Sequence, residues 1–205
     1  MLFRSATVTA AVGLRFYQAD QAFDAFAASQ RPSDTVRASR LMPWEPSYAL
    51  EAGAATWRDA AAGHDAAGLA EGERLIDRGI ARDPTGPLGY ADLARLDMAD
   101  GHIGRVPADL RAGLRRNPGD PSLEALWAYA ALEVLSRRHD DALAATIFNG
   151  LRDWGPMSAD AWYWLSAYYQ RTGDTAAAEA AIARARALAP ELTAQDYERR
   201  LLRAR

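Results

Sequence analysis

The sequence predicts an all-α fold assembled from stacked helix pairs, and three observations carry that prediction. Alanine makes up more than a fifth of the 205 residues and leucine is plentiful; both are strong helix formers, while β-branched residues are too scarce to build a sheet. Pro84, Pro118, Pro156 and Pro190 recur at spacings of 34, 38 and 34 residues. Each closes an Ala- and Arg-rich stretch and opens an aromatic-bearing one, a period in the range of helix-pair repeats. Finally, 49% hydrophobic and 25% charged residues describe an ordinary globular chain able to bury a sizeable core.

Residues 1–46 fall outside the repeat. Ala6 to Leu14 is weakly apolar between Arg4 and Arg15; it is about half the roughly 20 residues a membrane span needs, and it makes a poor secretory signal with no persuasive cleavage site after it. Leu2-Phe3-Arg4-Ser5 is the translation of the end of a common sequencing adapter. The expectation is that Met1 to Ser5 is an assembly artefact and that the rest of segment 1–13 is the remnant of an upstream hydrophobic stretch. Residues 14–46 form a helical lead-in through Ala22, Phe23, Ala25 and Phe26, interrupted at Gln30-Arg31-Pro32-Ser33 and resumed through Ala38 and Leu41.

Four helix pairs are expected next, over 47–84, 87–118, 122–156 and 159–190, with a polar helix over 191–205. The last pair is the most regular. Trp162, Leu165 and Tyr169 share one helix face, with small Ser166 beside them to let a second helix approach. Gly173 and Asp174 supply a left-handed turn and then an N-cap, and the second helix runs through Ala178, Ile182 and Ala185 until Pro190. The pair from Pro87 keeps this register with Tyr90, Leu93, Ala94, Gly101, Val106, Leu110, Gly113 and Pro118, with Asp97 where an aromatic would fall. Ser122 to Pro156 is a diverged copy that slips by about two residues before its proline, and Ser47 to Pro84 is elongated around Gly63 to Gly72.

This order of large, leucine, small and aromatic residues, then small, bulky, small and proline, resembles the tetratricopeptide repeat. The resemblance implies a right-handed α-solenoid of about four helix pairs with a C-terminal capping helix. It also implies a concave groove lined by the first helix of each pair. Carried onto this sequence, the groove positions are Arg95 and Met98 in one repeat and Tyr163, Gln170 and Arg171 in another. In the diverged repeat they are Glu124 and Trp127. Packing between repeats is the competing role for Trp127 and Tyr163, whereas Trp162, Leu165 and Tyr169 are assigned to the core.

Leu14 to Asp20, the following Ala- and Phe-bearing helix and the turn Pro43-Trp44-Glu45-Pro46-Ser47-Tyr48 together resemble the segment after the last membrane helix in O-antigen ligase and polymerase type membrane proteins. That resemblance implies the soluble, extracytoplasmic tail of a polysaccharide ligase or polymerase, on the periplasmic face of a bacterial inner membrane, tied to the membrane only through a missing upstream segment. The catalytic loops of such a parent are absent from this chain. A free-standing cytosolic adaptor is the alternative.

Chemistry is sparse. There is no Cys, which removes thiolate catalysis, disulfides and Cys-based metal sites. A net charge of -3 and a pI near 5.6 argue against nucleic-acid binding. All 24 basic residues are Arg, a bias that fits a GC-rich coding sequence and so does not mark individual Arg positions as selected. His64, His102 and His139 fall at turns between paired helices without a carboxylate at ligand spacing. A small hydrolase or transferase using these His residues is the enzyme alternative. The favoured reading is a non-enzymatic scaffold with no catalytic residue, metal or cofactor, whose groove takes a protein or peptide partner or a glycan.

Overall fold

Most helices begin where a short acceptor side chain or a proline precedes an Ala-rich run, because both suit the unsatisfied first turn of a helix. The computed structural model describes the backbone of residues 2–204 and the side chains of residues 13–199. The side chains of residues 1–12, to which the adapter reading applies, lie outside the described residues, as do those of 200–205. Among the described residues every regular element is helical and none is a strand. The chain divides into two units, residues 1–84 and 85–205.

The first unit holds α1 (Leu2–Ser29), α2 (Pro32–Leu41), α3 (Pro46–Gly63) and α4 (Ala66–Arg82). Pro32 and Pro46 each occupy the first turn of their helix, and Glu45 and Asp65 cap α3 and α4 by accepting from Ser47 N and Ala67 N. Ala19, Ala22, Ala38, Met42 and Tyr48 form one core cluster with Phe23 and Leu41 against it, which packs α1, α2 and the start of α3 together. The Tyr48 hydroxyl donates to Asp20 Oδ1 within this cluster. Burial first, then that hydrogen bond and the carboxylates of Asp20, Glu45 and Asp24, push the Tyr48 phenol from 10.0 up to about 12. Helices α3 and α4 approach through glycines: a Cβ at Gly53 would lie 2.7 Å from the Gly72 carbonyl oxygen and 2.8 Å from Ile76 N.

The second unit holds three antiparallel pairs, α5 (Pro87–Ala99) with α6 (Val106–Arg116), α7 (Pro121–Glu133) with α8 (Asp141–Trp154), and α9 (Ala159–Thr172) with α10 (Thr175–Leu188), followed by α11 (Ala194–Ala204). Within each pair the helices pack on each other, and the first helices also meet their successors, α5 on α7 and α7 on α9. Local chemistry sets these boundaries. Asp120 accepts from Ser122 N and Leu123 N, Asp140 from Leu143 N, Ser158 from Ala161 N and Asp174 from Ala177 N. Gly173 stands at φ 84 ahead of Asp174, the left-handed turn expected there. A 3₁₀ turn, Ile103–Arg105, precedes α6, and a π turn, Val134–Arg138, ends α7.

Small residues sit where neighbouring helices come closest. Ala94, Ser166, Ala178 and Ala185 are buried, and a Cβ at Gly113 would fall 2.8 Å from Leu123 Cδ1 and 2.9 Å from Tyr90 Cβ. The Ala excess is therefore partly a packing requirement. Leu165 is in the core, but Trp162 is only half buried. Its Nε1 donates to the Pro156 carbonyl at 2.9 Å, and the Arg184 guanidinium lies 5.6 Å from its ring centroid. Tyr169 is likewise half buried, edge-on to Phe148 at 4.9 Å, and the ring stacked flat on Phe148 at 4.0 Å is Tyr168. Two core assignments are thus corrected, because α9 turns Leu165 and Tyr168 inward and leaves Trp162 and Tyr169 at the edge of the packing.

Candidate functional site

The residues expected to line a groove divide into three groups. Glu124 and Trp127 are wholly buried, which corrects their assignment as ligand-facing. The Glu124 carboxylate accepts from Met157 N at 3.0 and 3.1 Å and from Ser158 N at 2.8 Å, so it anchors the approach to α9. Trp127 Nε1 donates to the Ile147 carbonyl at 2.9 Å, and its indole runs under Gly150 on α8. The physical cause is the position of α7, which is packed by α5, α6, α8, α9 and α11 and leaves few side chains at a surface.

Arg95 and Met98 are half-buried on α5, and Arg95 pairs with Asp92 at 2.8 Å. Gln170 and Arg171 are exposed near the end of α9. Tyr163 stands apart: it is half-buried and already in contact with another aromatic. Its ring stacks on Tyr197 of α11 at 4.4 Å and 12°, and meets Trp164 edge-on at 5.2 Å. Trp164 meets Tyr129 of α7 edge-on at 6.4 Å. Burial, with the nearby Glu198 carboxylate second, raises the Tyr163 phenol above its ordinary value.

Tyr129, Trp164, Tyr163 and Tyr197 thus form a file of rings running from α7 across α9 to α11. Tyr129 donates to Glu133 Oε2 at 2.7 Å, and Arg137 pairs with the same carboxylate group at 2.9 Å. Trp164 Nε1 is buried and has no acceptor among the described residues. Tyr129, Trp164 and Tyr197 escaped the sequence reading, because the repeat pattern assigns no ligand role to the first two positions and the last helix reads as a polar cap. The spacing of Tyr197, Leu201 and Ala204 at i, i+4 and i+7 gives that helix an apolar face in sequence, the available signal for the burial of Tyr197.

The histidines are turn residues. His64 and His139 are left-handed at φ 55 and 54, and His102 precedes the 3₁₀ turn with Nδ1 4.0 Å from Asp97 Oδ1. Arg105 approaches the same carboxylate oxygen at 3.8 Å, and Arg138 donates to the Gly101 carbonyl at 3.2 Å, which ties the turns of two successive pairs. Among the described residues no group of three His, Asp or Glu side chains could hold a metal, and no helix is long and apolar enough to cross a membrane. In the first unit an open cleft of about 550 Å³ lies between α1 and α2, lined by Gln18, Gln21, Asp24, Asp34 and Arg37 among others.

Among the described residues the fold is all-helical, and a file of aromatic rings runs from α7 across α9 to α11. No protein-family model matches the sequence, and no curated protein matches it.

Proposed function

We propose that the chain is a non-enzymatic interaction scaffold of the tetratricopeptide kind, whose second unit recognises a peptide partner on the face carrying Tyr129, Trp164 and Tyr163. The observation that carries this reading is the aromatic file itself. Rings on consecutive first helices, held edge-to-face, match the makeup of peptide-binding hot spots, where aromatic residues dominate the energy. The contacts of α5 with α7 and of α7 with α9 are those expected of first helices in a stacked array.

On this reading the lead-in and its resemblance assign the chain to the extracytoplasmic tail of a membrane polysaccharide ligase or polymerase, where the scaffold positions partners near the reaction. The test is a peptide-library selection on the purified chain in parallel with a Tyr163→Ala/Trp164→Ala variant of unchanged helical content. Peptides enriched on the native chain should lose at least tenfold in affinity on the variant. Equal enrichment on both, or enrichment on neither, would remove the scaffold reading.

A further inference from the structure

The polar helix read as an end cap does not lie where an end cap would suffice. Five residues separate it from α10, and its backbone approaches α7, the first helix of the pair before α9 and α10. Thr193 opens it with a short box in which both its N–H and its hydroxyl donate to Asp196 Oδ2, at 2.8 and 2.6 Å. Tyr197 is 2% exposed, sealed by its stack on Tyr163 and by Ala159, Ala189 and Leu192 around it. An isolated helix of this length is marginal in water, so α11 depends on this docking for its order.

We propose that α11 is a resident occupant of the aromatic face, and that the partner is a short amphipathic helix of the same chemistry that displaces it. This rests on the scaffold reading above for the identity of the face. Such a partner would carry an aromatic anchor for the Tyr163 ring, as Tyr197 supplies on α11, on one face of a short helix. One feature makes displacement favourable. The Trp164 indole N–H, beside the Tyr163 ring, is buried and has no acceptor among the described residues. A partner that brings a carbonyl or carboxylate to that donor makes a hydrogen bond that the described residues leave unmade. The resident segment then acts as an intramolecular competitor, lowering apparent affinity by its high effective concentration on a five-residue tether.

The experiment uses the full chain, its Tyr197→Ala variant, and a fluorescein-labelled peptide spanning residues 191–205. Hydrogen exchange should show that the α11 amides lose protection in Tyr197→Ala while those of α7 and α9 keep theirs. The labelled peptide should bind Tyr197→Ala at least tenfold more tightly than the native chain, and a peptide with the same Tyr→Ala change should bind neither. Unchanged α11 protection overturns the proposal, as does a labelled peptide that binds both proteins alike or neither. The peptides selected on the native chain separate the two readings. Equal affinity of those peptides for the native chain and Tyr197→Ala overturns the resident-helix proposal while leaving the scaffold reading intact. Selective binding of the 191–205 peptide alone, with no selected peptide sensitive to Tyr163→Ala/Trp164→Ala, removes the scaffold reading while sustaining the docking of α11.

Discussion

Replacing Gly53 by alanine sets two effects of opposite sign against each other, and the geometry decides between them. Alanine is the better helix former by about 0.8–1.0 kcal/mol in a helix interior, so an open site would be stabilised. At Gly53 the new methyl would lie 2.7 Å from the Gly72 carbonyl oxygen and 2.8 Å from Ile76 N. Both contacts are backbone atoms of α4, so no side-chain rotation relieves them and the two helices must part. Overpacking of this kind costs about 1–3 kcal/mol, and a clash with backbone belongs in the upper part of that range. The net expectation is a loss of about 1–2 kcal/mol, or a fall in melting temperature of roughly 4–16 °C for a unit of this size. Gly63, the last residue of the same helix, has nothing within 4 Å of its would-be Cβ, so Gly63→Ala should leave stability unchanged or raise it by about 0.5 kcal/mol, less than the full helix-interior gain. Thermal and urea unfolding followed by circular dichroism at 222 nm on the two variants reads the contrast directly. A Gly53→Ala protein that melts at or above the native temperature would refute the close-approach argument.

Glu124→Ala should destabilise by about 3 kcal/mol, because the Met157 and Ser158 N–H groups lose a charged acceptor in a buried place. Glu124→Gln keeps one oxygen and should lose about half as much, and an effect below about 0.5 kcal/mol in urea titrations would instead mark an exposed side chain. His64→Gly and His139→Gly relieve left-handed backbone conformations that a side chain disfavours. Each should raise stability by about 0.5–1 kcal/mol in the same titrations, and a clear loss would reveal packing by the imidazole. Because the folded chain holds the Tyr48 proton up to about 12 rather than 10.0, its contribution is complete below pH 10 and is lost as pH rises toward 12. Tyr48→Phe should flatten stability over that alkaline window, and native Tyr48 should ionise late in tyrosinate absorbance at 295 nm.

The breakers and caps were the most legible part of the chain. Pro32, Pro46 and Pro87 all fall in first turns, and Asp174 caps the helix it precedes, because these are local effects of one residue on its own backbone. The small-residue positions Ala94, Gly113, Ser166, Ala178 and Ala185 were legible too, since close helix approach leaves a direct mark on residue size. Helix α7 was not. Leu123, Ala125, Leu126, Trp127, Ala128, Ala130 and Ala131 bury in every direction, so no periodicity identifies an outward face, and Glu124 and Trp127 were placed on the wrong side. The docking of α11 was hidden for the opposite reason: its order depends on a ring contact with Tyr163, 34 residues earlier in the chain, which no local pattern encodes.

The π turn at Val134–Arg138 bears on how such chains tolerate insertions. The spacing from Pro118 to Pro156 is 38 residues rather than 34, and part of the surplus is taken up as a widened turn at the end of a helix. A length change absorbed this way leaves no loop behind, and the next turn still closes through His139 and the Asp140 cap. An alignment that admits gaps only between helices would misplace the surplus here and carry the error into every residue it maps onto α7. Comparing chains of this kind therefore calls for aligning cap to cap, with length allowed to vary inside the helices.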